Sequence, residues 1–140
     1  MQGLLSFFSE LAAFFTFRAI FNVLWATQLG IIVGMLPGLT ATMGVALMTT
    51  LTFRMGANDA VLILMSMYIG AIYGGSRSAI LLNIPGTPAN AATAVDGHPL
   101  ARQGRAGSAI GIATTGSFLG SVIGMIMLAL FTPLIGRFAL

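Results

Sequence analysis

Long uncharged stretches separated by single charged residues dominate the pattern of this chain. Thirty-five uncharged residues lie between Arg18 and Arg54, and 31 lie between Arg105 and Arg137. A helix needs about 20 apolar residues to cross a bilayer at 1.5 Å per residue. The first stretch is too long for one span and too short for two, so it predicts a broken helix or a hairpin of two short helices. The last stretch predicts one long helix that stops near Pro133.

Two interruptions are visible from glycine and proline alone. Pro37 lacks a backbone N–H and disfavours helix at the residue before it, while Gly38 permits backbone angles closed to other residues. The pair Gly74-Gly75 predicts another break, with Ser76 able to cap the helix that follows. Irregular backbone is tolerated in lipid only where protein buries it or where it lines a cavity. We therefore expect these breaks to be buried or functional.

A further Pro-Gly break, Pro85-Gly86, lies in the segment 83–88. Thr87 is a good N-cap and Pro88 occupies the favoured first helical position. This pattern predicts a short helix from Pro88 to about Val95 that ends near Gly97. The polar stretch that contains Asp96 and His98 is then expected to be an exposed loop, with a proton relay as the alternative.

The first 18 residues differ from the rest of the chain. Polar side chains fall on one helical face between Gln2 and Thr16, with Glu10 beside them, and leucine and phenylalanine occupy the other face. This pattern is typical of an interfacial amphipathic helix. We therefore divide the chain into that helix (residues 1–18) and a transmembrane region (residues 19–140). A tilted first span with Glu10 near one end is the alternative.

Composition restricts the protein class. Hydrophobic residues make up 57% of the chain and charged residues only 6%, which excludes an ordinary soluble domain and a disordered chain. We expect an all-α polytopic membrane protein with four or five segments, two of them broken. There is no cysteine, one histidine and three acids, so no metal site or enzymatic acid–base cluster is expected. Six scattered arginines form no stripe for nucleic acid.

Eighteen glycines occur, and many lie four residues apart. This spacing places small residues on one helix face, where neighbouring backbones can approach closely. The stripes can pack within the bundle or form the face of a homodimer. They are Gly30, Gly34 and Gly38; Gly70 and Gly74; and Gly116, Gly120 and Gly124.

The helix breaks could bind an anion. The second half of a broken helix begins with unpaired N–H groups and about half a positive charge, whereas the first half ends in carbonyl groups that can hold Na⁺. Thr40 and Thr42 add hydroxyl groups at the first break, and Thr87, Asn90 and Thr93 do so at the other Pro-Gly break. The alternative is that each Pro-Gly is only a turn at the membrane surface.

Arg77 follows the Gly74-Gly75-Ser76 segment within an uncharged stretch, and arginine inside a membrane is costly and often functional. It could pair with a substrate carboxylate, extend to the interface, or pair with Asp59 or Asp96.

At these segments the chain resembles the N-terminal part of the large membrane subunit of the tripartite tricarboxylate transporters, the TctA family. The resemblance runs from about Leu29 to about Thr115. Four segments carry it: 34–42 (GMLPGLTAT), 68–76 (YIGAIYGGS), 79–88 (AILLNIPGTP) and 92–101 (ATAVDGHPLA). Arg77 departs from the family pattern, which has small or apolar residues there.

The resemblance implies a multi-pass secondary transporter of the bacterial inner membrane. It would take up tricarboxylates or related carboxylates, driven by Na⁺ or H⁺ and without another cofactor. Its implied partners are a small membrane subunit and a periplasmic substrate-binding protein. The predicted substrate-binding residues are Leu36, Pro37, Gly38, Leu39, Thr40, Thr42, Gly74, Gly75, Ser76, Asn83, Pro85, Gly86 and Thr87.

Length limits what the chain is expected to do by itself. Family members are several times longer and hold a second Pro-Gly motif in their C-terminal half, so 140 residues correspond to one half of a probable inverted-repeat transporter. We expect an N-terminal fragment or a separately encoded half. The alternative is a small structural or assembly membrane protein that packs through its Gly-xxx-Gly faces and binds no substrate.

Overall fold

Helices form the described part of the chain. The computed structural model describes residues 15–139, and the side chains of residues 15–132. Most of the predicted amphipathic helix therefore lies outside the described residues. A 3₁₀ turn, Pro88–Asn90, precedes the fourth helix, and a π-helical segment, Ala101–Arg105, follows it. The helices are α1 (Phe17–Met35), α2 (Ala41–Thr52), α3 (Ala57–Leu82), α4 (Ala91–Leu100) and α5 (Ala106–Ala139).

Three helical stretches are long and apolar enough to cross a membrane by length and composition. They are Phe17–Met35, Ala57–Leu82 and Pro88–Thr132, and the shorter apolar helix α2 joins the first two. The all-α membrane fold is therefore confirmed. The described residues contain three such stretches and one short helix, where the charge spacing predicted four or five segments.

The first three helices form an antiparallel α1–α2 hairpin packed on α3. Asn22 of α1 donates to Asp59 of α3 at 3.3 Å. A Cβ atom built at Gly34 would meet the backbone of Ala71. Residue numbers rise together along α1 and α3, so these helices run parallel. Helix α2 runs back alongside this pair, because its Gly44 lies against Val33 while Met48 belongs to the cluster around Ala26. Of the two structures predicted for the first stretch, the hairpin is the one that forms.

Glycines set the distance between α1 and α3. A Cβ atom at Gly30 would lie 2.3 Å from the Met67 carbonyl oxygen, and one at Gly74 would lie 2.3 Å from the Ile31 carbonyl oxygen. Only glycine allows backbones this close. The intramolecular role is thus confirmed for Gly30, Gly34, Gly70 and Gly74, whereas a Cβ atom at Gly38 would meet nothing within 4 Å among the described atoms. On α5, by contrast, Cβ atoms at Gly116, Gly120 and Gly124 would meet nothing within 4 Å among the described atoms.

The predicted break at Gly74-Gly75 is wrong. Helix α3 continues without interruption from Ala57 to Leu82. Both glycines are buried, Gly74 against the Ile31 backbone and Gly75 against the Asn90 side chain and the Gly86 backbone. Ser76 donates to the Tyr73 carbonyl of its own helix at 2.7 Å instead of capping a new one. A glycine pair inside a helix can serve close packing, and here it does so.

The α1–α3 contact has an apolar centre and a polar end. Ala26, Met48, Ile63 and Met67 form the buried cluster. Near the starts of both helices, Asp59 accepts the Asn22 hydrogen bond and pairs with Arg18 at 3.0 Å. Trp25 donates to the Asn22 side chain at 3.2 Å. These polar contacts fix the register of α1 on α3 at one end of the bundle.

Helix α4 runs parallel to α3 after the chain turns back. The Asn90 side chain donates to the Ile72 carbonyl oxygen, and His98 Nδ1 donates to the Ile80 carbonyl oxygen, both at 3.1 Å. Residues 83–87 must therefore return from the end of α3 to its middle before α4 begins. The predicted end at Gly97 is wrong, since helical structure continues through this glycine, which packs on the Ile80 side chain.

The polar stretch after Val95 is helical and is not the loop that the sequence predicted. Asp96 is exposed, whereas His98 is half-buried against α3. Pro99 lies inside α4. The helix direction changes at Gly104, whose φ of 78° is a left-handed conformation that favours glycine. Helix α5 then returns along α3, passes the predicted stop at Pro133 and ends at Ala139.

Candidate anion site at two helix breaks

The first break has the geometry that Pro37 and Gly38 predict. Helix α1 ends at Met35, and the amide N–H of Leu36 donates to the Val33 carbonyl oxygen at 3.2 Å. Gly38 has a φ of 91°, which costs a residue with a Cβ atom about 1–2 kcal/mol. A Cβ atom there would nevertheless meet nothing within 4 Å. Backbone conformation, and not space, therefore requires glycine at this position.

Thr40 caps the helix that follows. Its Oγ1 accepts the Met43 amide at 3.3 Å and lies 2.8 Å from Oγ1 of Thr42. The Gly44 amide donates to the Thr40 carbonyl oxygen at 3.1 Å. An α-helix offers no internal acceptor to its first amides, which here belong to Ala41 and Thr42. The start of α2 therefore presents two N–H groups, a hydroxyl pair and the positive end of the helix dipole.

The second break runs from Asn83 to Thr87. Asn83 ends α3 in the left-handed conformation, with φ 58°, and its amide donates to the Ala79 carbonyl oxygen at 3.1 Å. Thr87 occupies the predicted N-cap position and Pro88 follows at the helix start. The Thr87 side chain makes no capping hydrogen bond. The residue is only 8% exposed, and its Oγ1 has no hydrogen-bond partner in the described part of the chain.

The second break reaches the end of α1 through three glycines. A Cβ atom at Gly86 would lie 2.6 Å from the Gly34 carbonyl oxygen and 2.9 Å from Gly75 Cα. A Cβ atom at Gly75 would lie 2.4 Å from Nδ2 of Asn90. Gly34 is one residue before the last residue of α1, Met35, and therefore lies beside the first break. The Gly34–Gly75–Gly86 contact thus brings the two breaks to the same level of the bundle.

This level lies within the span of α3. The middle of that 26-residue helix falls between Ile69 and Gly70, so Gly75 lies about 8 Å beyond it at 1.5 Å per residue. A hydrocarbon core is about 30 Å thick, so a centred α3 places this level inside it. From this level, α2 runs toward the start of α3, and α4 runs toward the end of α3. Two helix N-termini, both positive, therefore lie at one depth.

The predicted site residues differ in exposure. Gly74, Gly75, Ser76, Gly86 and Thr87 are buried, while Leu39 and Thr40 are half-buried. The remainder are exposed: Leu36, Pro37, Gly38, Thr42, Asn83 and Pro85. The structure brings Gly75 and Gly86 together, as described above. The sequence-based set of site residues does not include Gly34, although its carbonyl oxygen packs against Gly86. The sequence feature that could have indicated Gly34 is its position four residues before Gly38 in the glycine stripe.

A groove adjoins the second break. It has a volume of about 750 Å³ and lies between α1, α3, α4 and α5. Asn90 and Ser76 belong to its wall, so the groove and the breaks share residues. Half of the lining residues are polar, although most of the groove surface is apolar. These polar residues are Thr27, Tyr73, Ser76, Asn90, Thr93, Thr114, Ser117 and Ser121.

Comparison with known proteins confirms the family resemblance. The model of the tripartite tricarboxylate transporter TctA family matches residues 20–140 of this chain. The chain is also 39% identical over 122 residues to a protein from Agrobacterium vitis described as an uncharacterized 52.8 kDa protein in the TAR-I ttuC′ 3′ region. That match covers 85% of this chain and 24% of the relative, so the chain spans about a quarter of the relative's length. No solved structure matches the chain.

Proposed function

The chain belongs to the tripartite tricarboxylate transporter TctA family, and from this premise we propose that it contributes half of a carboxylate-binding site to an ion-driven uptake system. The observation that supports this best is the pair of helix N-termini at one level of α3, joined by the Gly34–Gly75–Gly86 contact. A carboxylate held there accepts hydrogen bonds from the amides of Ala41 and Thr42 and neutralises part of both helix dipoles.

The buried hydroxyl of Thr87 supports the same location. A buried hydroxyl without a hydrogen-bond partner costs free energy, and a ligand oxygen would remove that cost. At the first break, Thr40 and Thr42 contribute a pair of hydroxyls 2.8 Å apart. Pro37, Gly38 and Pro85 act in this proposal by setting the backbone, and Asn83 by ending α3. Leu36, Leu39, Gly74 and Ser76 surround these positions.

Carbonyl oxygens at the same level provide the complementary charge. Helix α1 ends beside the Gly34–Gly75–Gly86 contact, and its last carbonyl groups lack internal helical partners. We propose that the coupling ion, Na⁺ or H⁺, acts next to the carboxylate at this end. Alternating access would then move this half against a second half around the held anion.

The remaining parts of the proposal follow from the family. The expected partners are a small membrane subunit and a periplasmic substrate-binding protein, and the expected location is the bacterial inner membrane. An assembly role alone remains the second candidate. The observation that favours it is the glycine face of α5, where Cβ atoms at Gly107 and Gly111 also meet nothing within 4 Å among the described atoms. Such a face is available to another helix.

Two substitutions test the site. Gly38→Leu forces a side chain into a left-handed backbone conformation, and Thr40→Val removes the cap of α2. Both are expected to abolish carboxylate uptake by the assembled transport system while membrane insertion is unchanged. Gly56→Leu is the matched control, because Gly56 has open space around it and an ordinary φ of −59°.

Uptake is measured with radiolabelled citrate, and insertion by the amount of protein recovered in the membrane fraction. Thr49→Val is the control for the threonine, since the Thr49 hydroxyl bonds only to the Val45 carbonyl oxygen of its own helix. Uptake at the wild-type rate by either test variant would refute the site. A wild-type chain that crosslinks to itself in detergent, with a thermal stability that carboxylates do not alter, would favour the assembly role.

A further inference from the structure

The groove between α1, α3, α4 and α5 collects hydroxyl groups that the helices leave without a partner. A serine or threonine inside an apolar helix can donate to a carbonyl oxygen of the preceding turn, which matters where lipid offers no other acceptor. Most described hydroxyls inside the helices do so, among them those of Thr49 and Ser66. Four residues of the groove, by contrast, make no side-chain hydrogen bond within the described part of the chain. They are Thr27 of α1, Thr93 of α4, and Ser117 and Ser121 of α5.

These hydroxyls lie near the middle of the membrane span. A Cβ atom at Gly70 would lie 2.4 Å from the Thr27 carbonyl oxygen, and Gly70 adjoins the middle of α3. The Thr114 hydroxyl lies 3.0 Å from the Tyr73 hydroxyl, which fixes the level of α5 against α3. Because α5 returns along α3, Ser121 lies about 10 Å closer than Thr114 to the start of α3. Lipid cannot satisfy a hydroxyl at this depth, so its partner must come from elsewhere.

The groove has room for water. Its volume of about 750 Å³ far exceeds the roughly 10–15 Å³ that a single water molecule needs. A held water makes about two to four hydrogen bonds, and hydroxyls from α1, α4 and α5 offer them across one space, together with the Asn90 side chain. The groove therefore combines the volume, the polar groups and the unpaired hydroxyls that a hydrated cavity requires.

One end of the groove meets the second helix break. Asn90 lines the groove and packs against Gly75, on which Gly86 also rests. Thr93 lies in the first turn of α4, so this end of the groove reaches the positive end of the α4 dipole. Among the described residues, no acidic side chain lines the groove. An anion can therefore approach the break along the groove without meeting a like charge.

We propose that this groove is a water-filled path along which a hydrated carboxylate reaches the helix breaks. This inference rests on the proposed function and adds the route by which the ligand arrives. Water in the groove supplies the hydrogen bonds that Thr27, Thr93 and Ser117 lack. The lining hydroxyls solvate the anion without a charged group that would hold it in place, as a conducting path requires. From the breaks, the path leads past Ser121 toward the membrane side on which α1 and α3 begin.

Cysteine labelling tests whether the groove holds water. The chain has no cysteine, so an introduced thiol is the only one in each variant. Thr27→Cys and Ser117→Cys place thiols in the groove, and both replace a hydroxyl with a group of similar size. Leu29→Cys and Leu119→Cys are the matched controls. Each control position is exposed and lies two residues further along the same helix, which gives it nearly the same depth on the opposite face.

A methanethiosulfonate with a charged sulfonate group is applied to the complete 140-residue chain in zwitterionic lipid nanodiscs. Its reaction rates are normalised to those of the denatured chain. The groove thiols are expected to react about tenfold faster than the controls, which corresponds to a thiol pKa one unit lower in water than in lipid. Groove thiols that react no faster than the controls would mean that lipid or another helix fills the groove, which overturns the proposal.

Citrate kinetics test whether the groove carries the ligand. A maleimide with a short polyethylene glycol chain, attached to Ser117→Cys, obstructs the groove and leaves the helix ends untouched. It is expected to slow citrate association and dissociation by the same severalfold factor, so that the equilibrium affinity is unchanged. The same group on Leu119→Cys is expected to change neither rate. Unchanged association in labelled Ser117→Cys, or a loss of affinity without slower association, would overturn the proposed route.

Two further outcomes separate the route from the site. Absence of citrate binding to the wild type would overturn the proposed function and with it the route, whereas the labelling rates would still show whether the groove holds water. Citrate binding that Gly38→Leu abolishes, with unchanged kinetics in labelled Ser117→Cys, would uphold the helix-end site and refute only the route.

Discussion

Replacing Gly34 with alanine tests the glycine contact on which the candidate site depends. The new Cβ atom would lie 2.0 Å from the Ala71 carbonyl oxygen and 2.7 Å from the Ala71 Cα atom. Ordinary van der Waals contact begins at 3.4 Å, so the first pair of atoms must separate by well over an ångström. Both neighbours are backbone atoms, and no side-chain rotation can relieve the contact. Helices α1 and α3 must therefore move apart.

The expected size of the effect follows from two opposing terms. In a helix, Gly→Ala by itself stabilises by about 1 kcal/mol. Overpacking a close contact costs about 1–3 kcal/mol, and a gap of about 0.5–1 Å along an interface forfeits about a quarter to a half of its dispersion energy. The glycines of both helices share this interface, so separating the helices weakens the packing at each of these glycines. The balance of these terms gives an expected net loss of about 1–2 kcal/mol in the free energy of unfolding.

Reversible SDS titration of the chain in mixed micelles measures this quantity. Gly116→Ala is the matched control, because Gly116 also lies within a helix but a Cβ atom there meets nothing within 4 Å among the described atoms. The control is expected to be as stable as the wild type or slightly more stable. Citrate affinity is expected to fall in Gly34→Ala, since Gly86 rests on the Gly34 carbonyl. Equal unfolding free energies for the two variants would refute the packing argument.

Two more predictions concern the helix turn and the polar end of the bundle. Gly104→Ala is expected to lower the unfolding free energy by about 1–2 kcal/mol because of its left-handed φ of 78°, whereas Gly107→Ala, a helical glycine with open space, should not lower it; equal effects in the SDS titration would contradict this. Asp59→Asn is expected to cost less than about 1 kcal/mol, because Arg18 is 69% exposed and an asparagine oxygen still accepts from Asn22. A larger loss that persists in high salt would contradict the exposed character of this ion pair.

The local chemistry of proline and left-handed glycine was readable without the structure. Pro37 and Gly38 ended α1 where expected, and Asn83 through Pro88 formed a second break. These residues act through backbone geometry that depends on few neighbours. The Gly74-Gly75 prediction failed because a glycine pair can either break a helix or allow close helix packing. Only the contacts with Ile31 and Asn90 show that this pair serves packing.

Helical structure also continued where local signals predicted its end. Gly97 and Pro99 are unfavourable inside a helix, yet α4 extends through both. Packing of Gly97 on Ile80 and the hydrogen bond from His98 to α3 offset the local cost. Tertiary contacts of this kind override propensities of about 1 kcal/mol for glycine. The left-handed turn at Gly104 took over the role that the sequence had assigned to Gly97.

By itself, the sequence determined that this is a helical membrane protein, which family it resembles and where the two Pro-Gly breaks lie. Charge density, the length of apolar stretches and φ restrictions are properties of short segments. Only the tertiary structure decided that residues 83–87 return to the middle of α3 and that Gly86 rests on Gly34 and Gly75. The same holds for Arg77, which α5 reaches through Thr114 and Tyr73. These contacts join residues from distant parts of the sequence, and their energies depend on how whole helices pack, which no local pattern records.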